Sequence, residues 1–170
     1  MTGQETLKVL LEAQFADSKE VDNCPEEWGQ SDLEPYRVNR ENWDVLQRTV
    51  NQTKLRWAID YFNPYKSVGP DLIIPAFLRH GIDVLSSVLL SIFRVCLALG
   101  YITTAWRKAR VIFILKPGKP SNTKAKAYRS IYLSSFLLKT LERLIDRYKR
   151  DDVLERNPLH INQHANQSGK

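Results

Sequence analysis

Lys116, Lys119, Lys124, Lys126 and Arg129 fall in the stretch VIFILKPGKPSNTKAKAYRSIYLSS (111–135), which holds no acid. Ammonium and guanidinium groups at this density suit the binding of phosphate oxygens, lysine as a point charge and arginine as a planar fork. The stretch belongs to a longer acid-free interval. Between Asp83 and Glu142 the positive side chains are Arg94, Arg107, Lys108, Arg110, Lys116, Lys119, Lys124, Lys126, Arg129 and Lys139. Protein surfaces normally mix signs. A long run of one sign points to a polyanion, because neutralising phosphates releases counterions and nothing in folding rewards such a run. A basic face that only keeps the chain soluble is the alternative, and for Lys124 and Lys126 plain solvation weighs as much as phosphate contact.

Other chemistry has weaker support. Two-metal polymerases and nucleases need carboxylates converging from rigid elements. The acids of the basic half are Asp71, Asp83, Glu142, Asp146, Asp151, Asp152 and Glu155, and none ends a hydrophobic strand. Asp71 and Asp83 read as helix caps, Glu142 and Asp146 as surface positions of one helix, and Asp151-Asp152 as its frayed end. His160 and His164 are four apart but lie in a polar tail with too few companions for zinc. GxxxxGK[ST], GxGxxG and GxSxG are all missing, so phosphate-loop, dinucleotide and hydrolase-elbow chemistry has no foothold. Cys24 and Cys96 are too few and too far apart for a disulfide framework or a metal motif. The expectation is a binding surface without catalytic or metal-ligating residues.

The elements that would carry this surface can be read from periodicity. Leu7, Leu10, Leu11 and Phe15 predict a short amphipathic helix over 4–16, followed by an aperiodic acidic linker over 17–41. A helix is expected near 42–48, and a second is expected to start with Thr53 as N-cap, with Leu55, Ala58, Ile59 and Phe62 on one face and Asn63-Pro64 at its end. Gly69-Pro70 marks a turn. A short helix follows, with Asp71 as cap, Pro75 in its first turn and Gly81 at its close. Residues 83–99 are apolar on nearly every side, bounded by Asp83 and Gly100, which predicts a helix buried in a larger assembly, with Arg94 snorkelling from its edge. ARVIFIL (109–115) predicts a buried strand, and YRSIYL (128–133) a second strand that pairs with it across the basic loop. Ser134 or Ser135 then caps a helix whose inner face is Leu137, Leu138, Leu141, Leu144, Ile145 and Tyr148, with Arg143, Arg147, Lys149 and Arg150 outside. The fold class expected is α+β, mostly helical, with one small antiparallel strand pair.

The chain has 170 residues, 43% of them hydrophobic, enough for one domain with a real core. Its net charge of +6 is unevenly spread: residues 1–60 carry 7 basic and 12 acidic side chains, residues 61–170 carry 18 and 7. Charge or proline interrupts the apolar stretches, and residues 1–15 lack a basic-then-apolar layout, so an intracellular protein that does not enter membranes is expected.

Read together, LRWAIDYFNPYKSVGPD (55–71), LGYITTAWRKARVIFILKPGKP (99–120), AYRSIYLSSFLLKTLERLIDRY (127–148) and NQHANQSGK (162–170) resemble the N-terminal part of reverse transcriptases from non-LTR retrotransposons, most of all the jockey-like elements. Members of that family typically read K-[SA]-P-G-P-D-G, W-x-x-A-x-V-x-F-I-x-K-P-G-K, [FY]-R-P-I-S-L-x-x-x-x-x-K-x-x-E-R and N-Q-x-[AG]-[FY]-x-x-G, in this order. The resemblance implies the fingers of a right-hand polymerase over 51–170, preceded by an acidic helical and linker segment over 1–50. It implies that Lys116, Lys119 and Arg129 meet phosphates of template, primer or nucleotide, with Lys124 and Lys126 beside them. It further implies an RNA or DNA template–primer as partner, and contact with a palm and thumb or another protein.

The sequence departs from the family at Val68 (usually Pro), Leu72 (Gly), Ser130 (Pro), Tyr132 (Ser) and Asn166 (aromatic). The chain ends at Lys170, before the palm motifs whose F-x-D and Y-A-D-D carboxylates hold Mg²⁺ in the full-length family. The expectation is therefore a truncated or degenerate reverse-transcriptase fragment, inactive as a polymerase alone and binding no cofactor itself. The alternative is a stand-alone basic module that binds nucleic acid or protein.

Overall fold

The computed structural model describes residues 3–14, 40–118, 124–158 and 160. The elements are α1 (Gly3–Gln14), α2 (Arg40–Thr49), α3 (Gln52–Asp60), α4 (Pro75–His80), α5 (Ile82–Leu99), α6 (Thr104–Arg107), β1 (Arg110–Leu115), β2 (Tyr128–Leu133), α7 (Phe136–Tyr148) and α8 (Leu154–Arg156). A 3₁₀ turn, Ala125–Ala127, precedes β2, and a π turn, Lys149–Val153, joins α7 to α8. The chain is mostly helical with a two-stranded antiparallel sheet, an α+β architecture. It divides into two compact units, one of residues 1–37 and 109–133, the other of residues 38–108 and 134–170.

The helical unit owes its core to one face from each of several helices. Val50, Leu55, Ala58, Ile59, Leu78, Ile82, Leu89, Phe93, Cys96, Trp106, Phe136, Leu141 and Leu144 form one buried cluster. Edge-to-face ring pairs, Phe62 with Phe136 and Phe93 with Trp106, add directional packing to it. The predicted apolar face of α3 is the observed one, whereas on α7 Leu141 and Leu144 are buried, Leu137, Leu138 and Ile145 pack half-buried against the core, and Tyr148 stays outside the cluster. Phe136 and Thr140 join the inner face of α7, and the Thr140 hydroxyl is satisfied by donating to the Phe136 carbonyl at 2.7 Å.

Local signals set several helix ends. Gly100, at φ +61, closes α5: its N–H donates to the Leu97 carbonyl and that of Tyr101 to the Cys96 carbonyl, the double bond of a Schellman cap. Buried Ser135 starts α7, its hydroxyl accepting from the Leu137 N–H at 3.1 Å. Asn51 caps α3 in place of the expected Thr53, its Oδ1 accepting from the Lys54 N–H at 2.9 Å. Asparagine at that position has the extended backbone a cap needs, whereas Thr53 is already inside the helix. Asp71 does not cap α4, which starts at Pro75 after the uncapped Ile74; the Asp71 carboxylate turns the chain locally by accepting from the Ile73 N–H. Asp83 lies in the first turn of α5 behind Gly81 and pairs with Arg56.

Three further expectations are corrected. Arg94 does not snorkel: its Nε and Nη2 donate to the Val50 carbonyl at 3.1 and 2.9 Å. That carbonyl belongs to the C-terminal end of α2, where a cation satisfies an orphan acceptor and opposes the helix dipole. Asp151-Asp152 is not a frayed end, because helical structure continues to Arg156, with Asp151 paired to Arg147 and Asp152 to Lys54. Finally, α5 is not enclosed: it buries Ile82, Ser86, Leu89, Phe93 and Cys96 and leaves the opposite face in solvent.

In the other unit the strands pair antiparallel, from Arg110 opposite Leu133 to Leu115 opposite Tyr128. The expectation of a buried β1 is wrong. Arg110, Ile114 and Leu115 are exposed and Val111 to Phe113 half-buried, because a two-stranded sheet has no further strand to cover it. Helix α1 packs against the 3₁₀ turn, where Leu10 and Ala127 are buried.

Candidate nucleic-acid interface

The strand register sorts the basic residues. Directly opposed residues of an antiparallel pair share a face, so Arg110, Ile112, Ile114, Arg129, Ile131 and Leu133 lie on one side of the sheet. Val111, Phe113, Leu115, Tyr128, Ser130 and Tyr132 lie on the other. Arg129 is exposed and opposite Ile114; Arg110 is exposed on the same face, about 13 Å away along the strands at the rise of an extended chain. Arg110 was not among the residues singled out from sequence, although alternation along β1 together with the pairing of β2 would have identified it.

Lys116 closes the hairpin. Its amide donates to the Ala127 carbonyl and its ammonium to the Lys126 carbonyl, both at 2.8 Å. A lysine ammonium has three N–H donors, so one anchors the loop and two can still meet an anion. The Pro117-Gly118 turn follows, with Gly118 at φ +74, a left-handed conformation that favours glycine. Lys124 and Lys126 are exposed on either side of the 3₁₀ turn, which is held by the Ala127 N–H donating to the Lys124 carbonyl at 2.9 Å. Lys119 lies outside the described residues, as do Cys24, His164, Asn166 and the whole NQHANQSGK segment.

In the helical unit, the Gly69-Pro70-Asp71-Leu72 turn packs directly on the start of α7. A Cβ at Gly69 would lie 2.7 Å from the Ser134 carbonyl carbon and 2.8 Å from the Ser135 nitrogen, so only glycine permits this approach of two backbones. The Leu72 N–H returns to the Gly69 carbonyl at 3.2 Å, and Leu72 itself adopts φ +59, unusual for a branched apolar residue. Beside this turn, Lys139 sits 4.5 Å from the Phe136 ring centroid. Burial pushes the Lys139 ammonium below the usual lysine range and Lys66 pushes the same way, while Glu142 and Asp71 oppose them.

The outer side of α3 and α7, where Arg143 and Arg147 are expected, carries these cations stacked on aromatic rings. The Arg143 guanidinium lies 3.4 Å from the Tyr61 ring centroid and 4.6 Å from that of Trp57, and Arg147 lies 4.3 Å from Trp57. Both pairs have i,i+4 spacing, visible in the sequence, but their meeting across more than 80 residues is not. The ladder ties α3 to α7, with both arginines half-buried and the Arg143 Nε enclosed.

Four of the described carboxylates are held in ion pairs: Asp83 with Arg56, Asp146 with Arg150, Asp151 with Arg147 and Asp152 with Lys54. Among the described residues, no group of three or more His, Cys, Asp or Glu is placed to hold a metal ion. The donors among the described residues do not fit the Mg²⁺ pair implied for the full-length family. No protein-family model matches the chain.

Proposed function

We propose that this chain is a fingers-type fragment of a non-LTR retrotransposon reverse transcriptase that binds the phosphates of a primer–template through its β1–β2 hairpin and does not polymerise by itself. The observation that carries the reading is Leu72. The family pattern has glycine at this position, and here the backbone takes φ +59, the conformation glycine serves. Gly69, three residues earlier in the same pattern, meets the backbone at Ser134-Ser135, which follows the Y-R-S-I-Y-L strand. Two segments linked only by the family resemblance thus meet in space with a geometry that explains the residue types the family uses there.

On this reading Arg129, Arg110, Lys124, Lys126 and the two remaining donors of Lys116 form the phosphate-binding surface. If about four phosphates are contacted, the logarithm of the binding constant falls with the logarithm of salt at a slope of roughly −3 to −4. The test is binding of the purified chain to a labelled primer–template duplex over a salt series, beside a Lys116/Lys119/Arg129 triple alanine variant. Steep salt dependence, flattened and weakened in the variant, supports the reading. A slope near zero, or binding that the variant retains, removes it. Mg²⁺-dependent nucleotide incorporation by the purified chain would overturn the claim that it does not polymerise.

A further inference from the structure

The solvent face of α5 carries a pattern that phosphate binding does not use. Leu85, Val88, Ile92, Val95 and Leu99 recur at intervals of three, four, three and four residues, the spacing of a helix seam that packs on another helix. All five are exposed, as is Val84 beside them. With exposures from 37% at Leu85 to 81% at Val84, these six side chains leave roughly 500 Å² of apolar surface, within the range of the largest patch on a typical monomer, which is often a functional one.

The stripe also reads Leu-Val-Ile-Val-Leu from either end. We propose that its occupant is a second copy of this chain, with the two α5 helices antiparallel about a two-fold axis passing near Ile92. Leu85 then meets Leu99 of the second copy, Val88 meets Val95, and Ile92 meets Ile92. Such self-complementarity is what an isologous contact requires. Two copies covering this face remove at most roughly 1,000 Å² from water, the lower bound for a biological interface and the size of a weak, concentration-dependent dimer.

Electrostatics agree with this occupant. Although the chain carries +6, the charges nearest the stripe are engaged elsewhere, Asp83 with Arg56 and Arg94 with the Val50 carbonyl. The hydroxyl of Ser91, next to the stripe, is satisfied by donating to the Ser87 carbonyl at 3.0 Å. The stripe itself therefore presents only apolar side chains; Arg94 keeps its positive charge but directs it to the Val50 carbonyl. Helix α5 is also long and apolar enough to cross a membrane by length and composition. Its inner face, however, contributes Leu89, Phe93 and Cys96 to the core, which a spanning position would dismantle. The inference stands independently of the nucleic-acid reading.

The test is sedimentation of the full chain over micromolar to submillimolar concentration, without nucleic acid, for the wild type, Val88→Glu, Val95→Lys and the double variant. The wild type is expected to approach twice the chain mass. Each single variant, with helix content and melting unchanged because both positions are exposed, is expected to weaken the dimer by roughly tenfold or more, since an unpaired charge enters the seam. The double variant should recover it, because the antiparallel arrangement sets each new carboxylate beside a new ammonium of the other copy. A wild type that stays monomeric throughout, a dimer indifferent to the single variants, or no recovery in the double variant would each overturn the proposal. So would a monomer in solution whose α5 face binds neutral phosphatidylcholine vesicles and loses that binding in Val88→Glu, which would assign the face to a membrane surface.

Discussion

The hairpin unit and the helical unit solve the burial problem differently. In the helical unit, Val50, Leu55, Ala58, Phe93 and Leu144 are fully enclosed by side chains from helices distant in sequence. In the hairpin, no residue of either strand is fully buried, and the carbonyls and N–H groups at its outer edges face away from any third strand. Apolar burial supplies most folding free energy. The helical unit can therefore stabilise itself, whereas the hairpin depends on its ladder, on α1 against the 3₁₀ turn and on the Lys116 clasp to Lys126. A weakly buried hairpin that presents exposed cations suits adaptable contact with a charged polymer. A dense core suits the job of holding the Gly69 turn against α7.

The largest expected effect tests this contrast directly. Phe136→Ala should destabilise the helical unit by about 3–5 kcal/mol, while Phe113→Ala, at a half-buried strand position, should cost no more than about half of that. Hydrogen exchange resolved by segment checks the comparison; equal losses, or global unfolding by both variants, would break it. A smaller effect of opposite sign is expected at the turn. Leu72→Gly should raise stability by about 1 kcal/mol, because glycine removes the left-handed penalty at φ +59 and Leu72 is largely exposed. Denaturant midpoints at constant slope measure it, and a loss of stability would show that the Leu72 side chain matters more than its backbone.

The smallest effect concerns pH. Lys139 has a folded-state value below its unfolded one, chiefly because burial disfavours the ammonium. Between those two values the unfolded chain binds more protons, so stability rises with pH through that window. At neutral pH the charged form is still held at a cost, and the cost disappears as pH climbs through the ordinary lysine range. Lys139→Met should therefore show its greatest advantage over the wild type near neutrality, with the gap closing in alkali. A gap that stays constant would mean that the burial of this ammonium has no energetic consequence.

Much of this was legible in the residues. The 128–133 strand, the Gly100 cap, a serine cap at 134 or 135 and the apolar face of α3 follow from period, β-branching and capping chemistry, all of which act within a few residues. The basic cluster was equally plain, since charge needs no fold to be counted. What was misread required partners far along the chain. Arg94 looked like an edge residue until its bond to Val50, 44 residues away, was seen. Arg143 and Arg147 looked merely external until α3 brought Trp57 and Tyr61 against them. Strand β1 looked buried because its apolar run suits a covered sheet, and composition does not reveal that only one strand would flank it.

Sequence by itself therefore determined the longer helices, the hairpin and the acid-free basic interval, because hydrogen-bonding period and side-chain type are local properties. Tertiary structure alone decided which α5 face is covered, which acids are consumed in ion pairs, that Arg110 shares a face with Arg129, and that Leu72 bears a glycine's conformation. Those outcomes depend on loop closure and on competition among surfaces for burial, and neither is encoded within any one segment.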